Sequence, residues 1–319
     1  MATTTDRMPM RLSDRLDWTR DGTGWPHREA SRFVSVAGLR WHVQQMGPRA
    51  LSQPLPQAPW ALLIHGTGAA THSWRGLMPL LSTHFNVLAA DLPGHGFTGM
   101  APVAQMSLPG MAHALAALLA DLRVAPQLIV GHSAGAAIGA RLCLDGHAAP
   151  AALVSLNGAL LPLGGLPGLL FPPVAKLMAA LPFVPRVFSW RAADAAAVRR
   201  LIEGTGSRLD EDGAELYRRL MRSPGHAAGA LSMMAHWDLQ PLERDIARLR
   251  VPLTLVVGAG DLAVPPSQAR RVQAVVPRAH LVTLAGLGHL AHEEQPERVA
   301  SVVLEAALPR PGPAAMGTP

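Results

Sequence analysis

The pentapeptide GHSAG at residues 131–135 contains the serine in this chain best placed for nucleophilic chemistry. It follows the apolar run 127–130 and precedes a run of small residues, so a buried strand is predicted to turn sharply into a helix at Ser133. Side chains at either glycine would collide with the neighbouring strand and helix. The turn presents the hydroxyl at the sheet edge, above a helix N-terminus that favours developing negative charge. The pattern therefore predicts that Ser133 is a catalytic nucleophile.

A nucleophilic serine needs a base, and the base needs a carboxylate that orients it. Residues 251–257 (VPLTLVV) are typical of a buried parallel strand, and Asp261 comes just after it. The next predicted strand, 279–284, runs into a glycine-rich loop that carries His289. The strand at 152–156 ends in Asn157, so the alternative acid position holds no carboxylate. Because parallel strands end at one edge, the spacing predicts a triad of Ser133, Asp261 and His289.

The loop HGTG at residues 65–68 follows another apolar strand, 60–64, and predicts an oxyanion hole. One donor would be the backbone N–H of the residue after the nucleophile, Ala134. The second would be the backbone N–H of Thr67, since the flanking glycines let this loop approach a substrate closely. His65 is expected to make structural hydrogen bonds rather than to take part in catalysis.

These motifs resemble the α/β-hydrolase superfamily over roughly residues 32–308. The resemblance implies an α/β fold with a mostly parallel sheet, helices on both faces and an inserted helical cap. In this superfamily the sharp turn that carries the nucleophile is called the nucleophile elbow. Serine at the elbow, in place of aspartate, argues against dehalogenase or epoxide-hydrolase chemistry.

A closer resemblance rests on six blocks of sequence. They are residues 65–74 (HGTGAATHSW), 91–98 (DLPGHGFT), 131–138 (GHSAGAAI), 155–165 (SLNGALLPLGG), 286–294 (GLGHLAHEE) and 199–207 (RRLIEGTGS). They resemble the magnesium-chelatase accessory hydrolase of bacteriochlorophyll biosynthesis in photosynthetic bacteria. This resemblance implies action at the magnesium-chelatase step, on or near a tetrapyrrole, and magnesium-chelatase subunits as partners.

Composition favours a cytoplasmic enzyme without disulfides. The only cysteine is Cys143, and residues 1–25 contain no apolar stretch of the kind found in signal peptides. The formal net charge is +6, and Lys176 is the only lysine, so the positive charge is almost entirely arginine. No nucleic-acid-binding motif accompanies it, which argues against a nucleic-acid partner.

The order of apolar runs and turn residues predicts the organisation of the chain. Residues 1–30 form a loosely ordered lead-in, and residues 33–45 form a hairpin that turns at Ala37 and Gly38. The catalytic core would comprise 31–157 and 249–308, with a helical cap at 158–248 and a disordered tail at 309–319. Strands are predicted at 60–65, 86–90, 127–132, 152–156, 252–257 and 280–284, and helices near 74–83, 108–123, 134–146, 266–276 and 293–307.

Two short patterns are similar to a dinucleotide-binding loop and to a zinc motif, but neither has the sequence context that such a site requires. The match of residues 258–263 (GAGDLA) to a dinucleotide-binding loop is followed by Val264-Pro265-Pro266, which prevents a helix from opening there. The run 289–293 (HLAHE) matches no zinc motif, so His292 is expected to be a helix-start residue or to support the site. We expect neither a cofactor nor a catalytic metal.

Residues 148–175 carry no charge, but their prolines and glycines exclude a membrane-spanning helix. Two interpretations of the cap stay open: an apolar segment packed on the core, or a hydrophobic substrate mouth that touches a membrane surface. For the second, we predict a tetrapyrrole pocket lined by Leu169 and Phe171, with Trp74 and Trp237 contributing aromatic surface. Arg199 or Arg200 would then meet the propionates. Four leucines complete the predicted lining: Leu160, Leu161, Leu166 and Leu170.

Two classes of function follow. The first is a serine hydrolase with acyl or ester chemistry on a hydrophobic small molecule. The alternative is a non-catalytic tetrapyrrole-binding or chelatase-docking protein on a hydrolase fold. The complete triad and oxyanion loop favour the enzyme, because nothing in a pure carrier requires all five of these positions.

Overall fold

A single sheet of eight strands forms the centre of the fold. The computed structural model describes residues 14–48, 58–162, 177–178, 181 and 183–307. The strands are β1 (Ser31–Val36), β2 (Leu39–Met46), β3 (Trp60–Ile64), β4 (Asn86–Ala90), β5 (Pro126–His132), β6 (Ala152–Leu156), β7 (Leu253–Gly258) and β8 (Ala279–Leu284). Their order across the sheet is β1-β2-β4-β3-β5-β6-β7-β8. Strand β2 is antiparallel to β1 and β4, and the remaining neighbours are parallel.

Twelve α-helices are present in the described residues. They are α1 (Trp18–Asp21), α2 (Leu77–Leu81), α3 (Leu108–Asp121), α4 (Ala134–Leu144), α5 (Val184–Arg191), α6 (Ala195–Glu203), α7 (Glu211–Met221), α8 (Pro224–Ala235), α9 (Gln240–Asp245), α10 (Ser267–Val275), α11 (Ala291–Glu294) and α12 (Pro296–Ala307). A short 3₁₀ helix covers Thr71–Trp74. The α/β fold, mostly parallel sheet and helical insertion predicted from the sequence are confirmed.

Both faces of the sheet are covered, because successive side chains of a strand point to opposite faces. In β3, Leu62 belongs to the apolar cluster formed with α3, α4 and α10. Its neighbour Leu63 belongs to a second cluster, formed with α2 and α12. The central strands β3, β5 and β6 are therefore buried at nearly every position, which fixes the sheet between two helical layers. The loops that follow the parallel strands open at one edge.

The predicted hairpin and its turn are confirmed. Ala37 and Gly38 separate β1 from β2 and have φ values of 51° and 77°. Two successive residues with positive φ are the mark of a tight hairpin turn whose twist matches that of the strands.

Residues 14–30, which the sequence predicted to be loosely ordered, pack against the body of the protein. Trp25 is 2% exposed and its indole N–H donates to Thr71 Oγ1 over 3.1 Å. Arg219 of α7 donates to the carbonyl of Asp21 over 3.0 Å. The physical reason is aromatic packing, since Trp18 and Trp25 meet an edge of Phe97. Residues 1–13 and the predicted tail at 309–319 lie outside the described residues.

Between β6 and β7 the chain leaves the sheet, and the described residues of this segment, which we call the insertion, include the helices α5 to α9. Aspartate and serine side chains begin three of them: Asp194, Asp210 and Ser223 accept hydrogen bonds from backbone N–H groups in the first turns of α6, α7 and α8. No helix in the described part of the chain is long and apolar enough to cross a membrane.

Candidate active site

Ser133 lies at the sharp turn between β5 and α4. Its φ of 52° and ψ of −118° are unusual for a residue other than glycine, so the surrounding structure must hold it there. Its backbone N–H donates to the carbonyl of Leu156 over 3.0 Å. A Cβ at Gly135 would lie 2.0 Å from the carbonyl oxygen of Ile64, and one at Gly131 would lie 2.5 Å from Ala136 Cα. The glycines are therefore required by close backbone approach, as the sequence predicted.

Asp261 and His289 form a buried pair after β7 and β8. His289 Nδ1 donates to Asp261 Oδ2 over 2.8 Å, and the side chains are 10% and 1% exposed. The other carboxylate oxygen, Oδ1, accepts from the backbone N–H groups of Ala263 and Val264, each over 2.8 Å. These bonds fix the carboxylate, which in turn fixes the tautomer and orientation of the imidazole and leaves Nε2 as its free base.

Asn157 supports this pair, a role that sequence reasoning missed. It follows β6 with a φ of 47°, and its Nδ2 donates to Asp261 Oδ2 over 2.7 Å and to the carbonyl of Gly288 over 3.3 Å. The same carboxylate oxygen therefore accepts from both the asparagine and the histidine. The available signal was the position of Asn157, a polar residue directly after the buried strand 152–156.

The elbow and the His289 loop are in contact through His132. Its Nε2 donates to the carbonyl oxygen of His289 over 3.0 Å, and the two imidazole rings pack with centroids 4.8 Å apart. Ser133 is half-buried and lies next to this contact. Among the described residues its hydroxyl makes no hydrogen bond to His289. Such bonds commonly tighten only when substrate binds.

The loop after β3 lies directly against Ser133. A Cβ at Gly66 would lie 2.9 Å from Ser133 Cβ and 2.9 Å from His132 Nδ1. Thr67, the next residue, donates from Oγ1 to Met233 Sδ of α8 over 3.5 Å, so the insertion helps to place this loop. Ala134 is the first residue of α4, where backbone N–H groups have no acceptor within the helix. Both predicted oxyanion donors are thus beside Ser133 in the chain or in space.

His65 joins two loops at this edge, which agrees with the structural role predicted for it. Its Nδ1 donates to the carbonyl of Gly66 over 2.8 Å, and its Nε2 accepts from the backbone N–H of Leu92 over 2.8 Å. Burial lowers the pKa of this imidazole, so it stays neutral.

Two further histidines form a neutral stack beneath His289. The ring of His132 packs on that of His292 with centroids 4.4 Å apart, and His292 packs on Trp74 at 4.8 Å. Burial lowers the pKa of His292 to about 3 and holds the pKa of His132 well below its ordinary value. A positive charge formed on His289 therefore has no second cation in this stack to repel it.

A turn of the insertion, Thr205-Gly206-Ser207, fits between the two loops that carry Asp261 and His289. The carbonyl of Thr205 accepts from the N–H of Leu262 over 3.1 Å and from that of His289 over 3.4 Å. Ser207 Oγ, fully buried, accepts from the N–H of Leu290 over 2.8 Å. A Cβ at Gly206, whose φ is 83°, would lie 1.9 Å from the carbonyl oxygen of Gly260. The insertion therefore holds the histidine loop in place.

A second link joins the insertion to this loop through Glu293. Its carboxylate accepts from Tyr217 of α7 over 2.7 Å and from Arg75, which also pairs with Asp210 over 3.1 Å. Burial raises the pKa of Glu293 to about 7, although Arg75 and Tyr217 both act to lower it. This carboxyl titrates near neutral pH only four residues from the candidate base.

The predicted pocket residues lie in different places. Trp74 is fully buried against His292, and Trp237 is half-buried against the core cluster around α4. Leu160 and Leu161 are 2% and 3% exposed. Leu169 and Phe171 lie outside the described residues, as do Leu166 and Leu170. In the part of the chain that the structure describes, no three or more histidine, cysteine, aspartate or glutamate side chains group as metal ligands would.

Comparison with known proteins agrees with this architecture. A profile of the alpha/beta hydrolase family matches residues 61–302. The chain belongs to the alpha/beta hydrolase family.

Within that family, the chain is similar to the magnesium-chelatase 30 kDa subunit of Rhodobacter capsulatus. The two are 36% identical over 281 residues, which cover 88% of this chain and 95% of the relative. This similarity confirms the closer resemblance read from the sequence blocks.

Solved structures agree with the fold. An alpha/beta hydrolase fold protein from Burkholderia ambifaria superposes with a TM-score of 0.71 at 23% identity, over 86% of this chain and 97% of that one. The enol-lactonase from Burkholderia xenovorans gives a TM-score of 0.68 at 21% identity, over 86% and 98%. At these identities the likeness concerns the fold alone.

Proposed function

We propose that this protein is a serine hydrolase that cleaves an ester or a related acyl bond. The observation that carries the proposal is the buried pair of His289 Nδ1 and Asp261 Oδ2, 2.8 Å apart, on loops that adjoin a serine held at a φ of 52°. A serine in this turn, a histidine with its tautomer fixed and two backbone donors are the components of nucleophilic acyl transfer.

In the acylation half-reaction, His289 Nε2 takes the hydroxyl proton as Ser133 Oγ attacks the carbonyl carbon. The imidazolium that forms stays bonded to Asp261. The backbone N–H groups of Thr67 and Ala134 stabilise the tetrahedral oxyanion, each by roughly 3–4 kcal/mol. The intermediate collapses as His289 returns the proton to the leaving oxygen, which gives an acyl-Ser133 and an alcohol.

Deacylation repeats these steps with water. His289 Nε2 removes a proton from water, the hydroxide attacks the acyl-serine carbonyl, and the same two backbone donors hold the oxyanion. Collapse releases the carboxylic acid and returns the proton to Ser133 Oγ, so the enzyme is regenerated. No metal or cofactor takes part in this route.

The substrate we propose is a hydrophobic small molecule, with a tetrapyrrole as the specific candidate. The similarity to a protein named for magnesium chelatase supports it, and so does the uncharged sequence of residues 148–175. The side chains of Arg199 and Arg200 are 60% and 67% exposed, and their carboxylate partners lie at 3.9 and 3.5 Å, so both can turn to an anionic ligand. We also propose that the protein contacts magnesium-chelatase subunits, and the same similarity supports this.

Tetrapyrrole binding is tested by quenching of the chain's tryptophan fluorescence. Protoporphyrin IX, its magnesium complex and the monomethyl ester are compared with a simple long-chain ester. We expect saturable binding of the tetrapyrroles, weakened by Leu169→Asp or Phe171→Asp. A dissociation constant of roughly 100 μM corresponds to a binding free energy of about 5.5 kcal/mol. If no tetrapyrrole binds more tightly than this, the tetrapyrrole proposal is wrong and a generic esterase is the better interpretation.

A second candidate function is a non-catalytic accessory protein that binds a tetrapyrrole or docks on the chelatase. The similarity to a protein named as a chelatase subunit favours it. Complementation separates the two functions, with pigment synthesis measured in a Rhodobacter capsulatus strain that lacks that relative. The enzyme requires Ser133→Ala to fail while Ser267→Ala, a change at an exposed serine of α10, restores pigment. Full rescue by Ser133→Ala would support the accessory protein.

A further inference from the structure

Exposed apolar side chains concentrate in one part of the insertion. The described residues include nine large apolar side chains that are exposed, and five of them fall between 177 and 190. These are Leu177 (61% exposed), Phe183 (56%), Val187 (51%), Phe188 (39%) and Trp190 (73%). Single exposed apolar residues are normal on a protein surface, but a contiguous group marks an interaction site.

Most of this group forms one stripe on helix α5. Phe183, Val187 and Trp190 are spaced i, i+4 and i+7, so they share a face. At 100° per residue, Arg186 lies on one side of this stripe and Arg191 on the other. The opposite face contains Ser189, which is 7% exposed, and the helix packs against α8. The outward face is therefore an aromatic stripe with an arginine along each edge.

The arginines beside the apolar stripe indicate which kind of partner it binds. Arg186 is 46% exposed and pairs with Asp14 at 3.0 Å, whereas Arg191 has no carboxylate partner within the described residues. Arg199 and Arg200 follow on α6, and the whole chain carries a formal net charge of +6. Apolar aromatic surface flanked by arginine suits the boundary of an anionic bilayer, where rings insert at the headgroups and guanidinium groups meet phosphates.

We propose that α5 docks the protein on an anionic lipid surface, with Phe183, Val187 and Trp190 inserted at the level of the headgroups. The docked face is one helix away from the candidate site, because α8 packs on α5 and its Met233 contacts Thr67 of the oxyanion loop. Docking would thus bring the site to a membrane in which an apolar substrate concentrates. This last consequence rests on the proposed function, whereas lipid binding itself does not.

The test is sedimentation of the full chain with vesicles of phosphatidylcholine, with and without phosphatidylglycerol. We expect binding only when phosphatidylglycerol is present. Val187→Asp should weaken the partition constant by at least about tenfold, which corresponds to 1.4 kcal/mol. Arg191→Gln should weaken it by about fivefold, as expected for one basic residue near the surface.

Val275→Asp is the matched control, because Val275 is 47% exposed and lies on α10, away from the stripe. It should bind like the wild type, and circular dichroism should show that both aspartate variants are folded. Ser133→Ala should also bind vesicles normally, which separates docking from catalysis. The proposal is overturned by absence of binding to anionic vesicles, by equal losses in the two valine variants, or by binding that phosphatidylglycerol does not increase. If vesicles do not bind but Val187→Asp still abolishes pigment complementation, the stripe binds a protein instead.

Discussion

Replacing Asn157 by aspartate places a second carboxyl group against the acid of the candidate triad. In the wild type, Asn157 Nδ2 donates to Asp261 Oδ2 over 2.7 Å, and both residues are buried. In Asn157→Asp, two ionised oxygens at that distance would repel each other by about 6 kcal/mol at an effective dielectric constant of about 20. The introduced carboxyl therefore keeps its proton at neutral pH and donates it across the same gap.

The cost of this arrangement depends on pH. A repulsion of that size raises the pKa of the introduced carboxyl by about 4 units in the folded state, from about 4 to about 8. The folded variant then binds one more proton than the unfolded chain between these values. Its stability is therefore greatest at low pH and falls by about 1.4 kcal/mol per pH unit between pH 4 and 8.

Urea unfolding at pH 5, 6, 7 and 8 measures this effect for the wild type, Asn157→Asp and Asn157→Leu. The leucine variant removes the donor without adding a charge, so its deficit should not change with pH. The aspartate variant should be less stable than wild type by about 1.4 kcal/mol at pH 5 and by about 5 kcal/mol at pH 8. If its deficit is the same at all four pH values, the two side chains are not in contact and the arrangement around the acid is wrong.

Three other changes test neighbouring parts of the structure. Ser207→Ala leaves the N–H of Leu290 without its buried acceptor, so the free energy of unfolding should fall by about 1–3 kcal/mol. In the same variant kcat should fall more than KM rises, whereas Ser207→Thr should restore stability and kcat. Burial raises the pKa of Glu293 to about 7, so its contribution to stability is complete below about 4.5 and is lost as the pH rises through 7. Melting curves should therefore show that Glu293→Gln removes roughly 3 kcal/mol of pH dependence in that window, and parallel curves for wild type and variant would contradict this. Gly66→Ala puts a Cβ 2.9 Å from that of Ser133 and should abolish the proposed hydrolysis, whereas Gly99→Ala, with no neighbour closer than 3.7 Å, should not. Equal activity of the two variants would count against the predicted oxyanion loop.

Local sequence predicted those parts of the fold that depend on short-range patterns. The elbow at Ser133 follows from an apolar strand, two glycines and a helix of small residues, all between residues 127 and 140. Asp261 and His289 could be placed together because residues that follow parallel strands meet at one edge of a sheet. The hairpin turn at Ala37 and Gly38 was likewise predicted from a short local pattern, and both residues have the positive φ that such a turn requires.

Contacts between distant segments could not be read in this way. The bond from Asn157 to Asp261 joins residues 104 positions apart, and nothing in either loop specifies it. The position of Ser207 depends on where the insertion returns to the sheet. Residue type alone did not predict the burial of Trp74, since an aromatic residue near a predicted site can belong to the core rather than to a pocket surface. The burial of Trp25 could not be predicted either, because its packing partners come from three separate segments of the chain.

The proposed hydrolase depends on Ser133 as a nucleophile that His289 activates. Peptide mass spectrometry after treatment of the folded protein with a fluorophosphonate tests it most directly. We expect one covalent adduct, on Ser133, that is lost in Ser133→Ala, unchanged in Ser267→Ala and formed at least about 100-fold more slowly in His289→Gln. An adduct on another residue, or folded protein that resists every such probe, would contradict it.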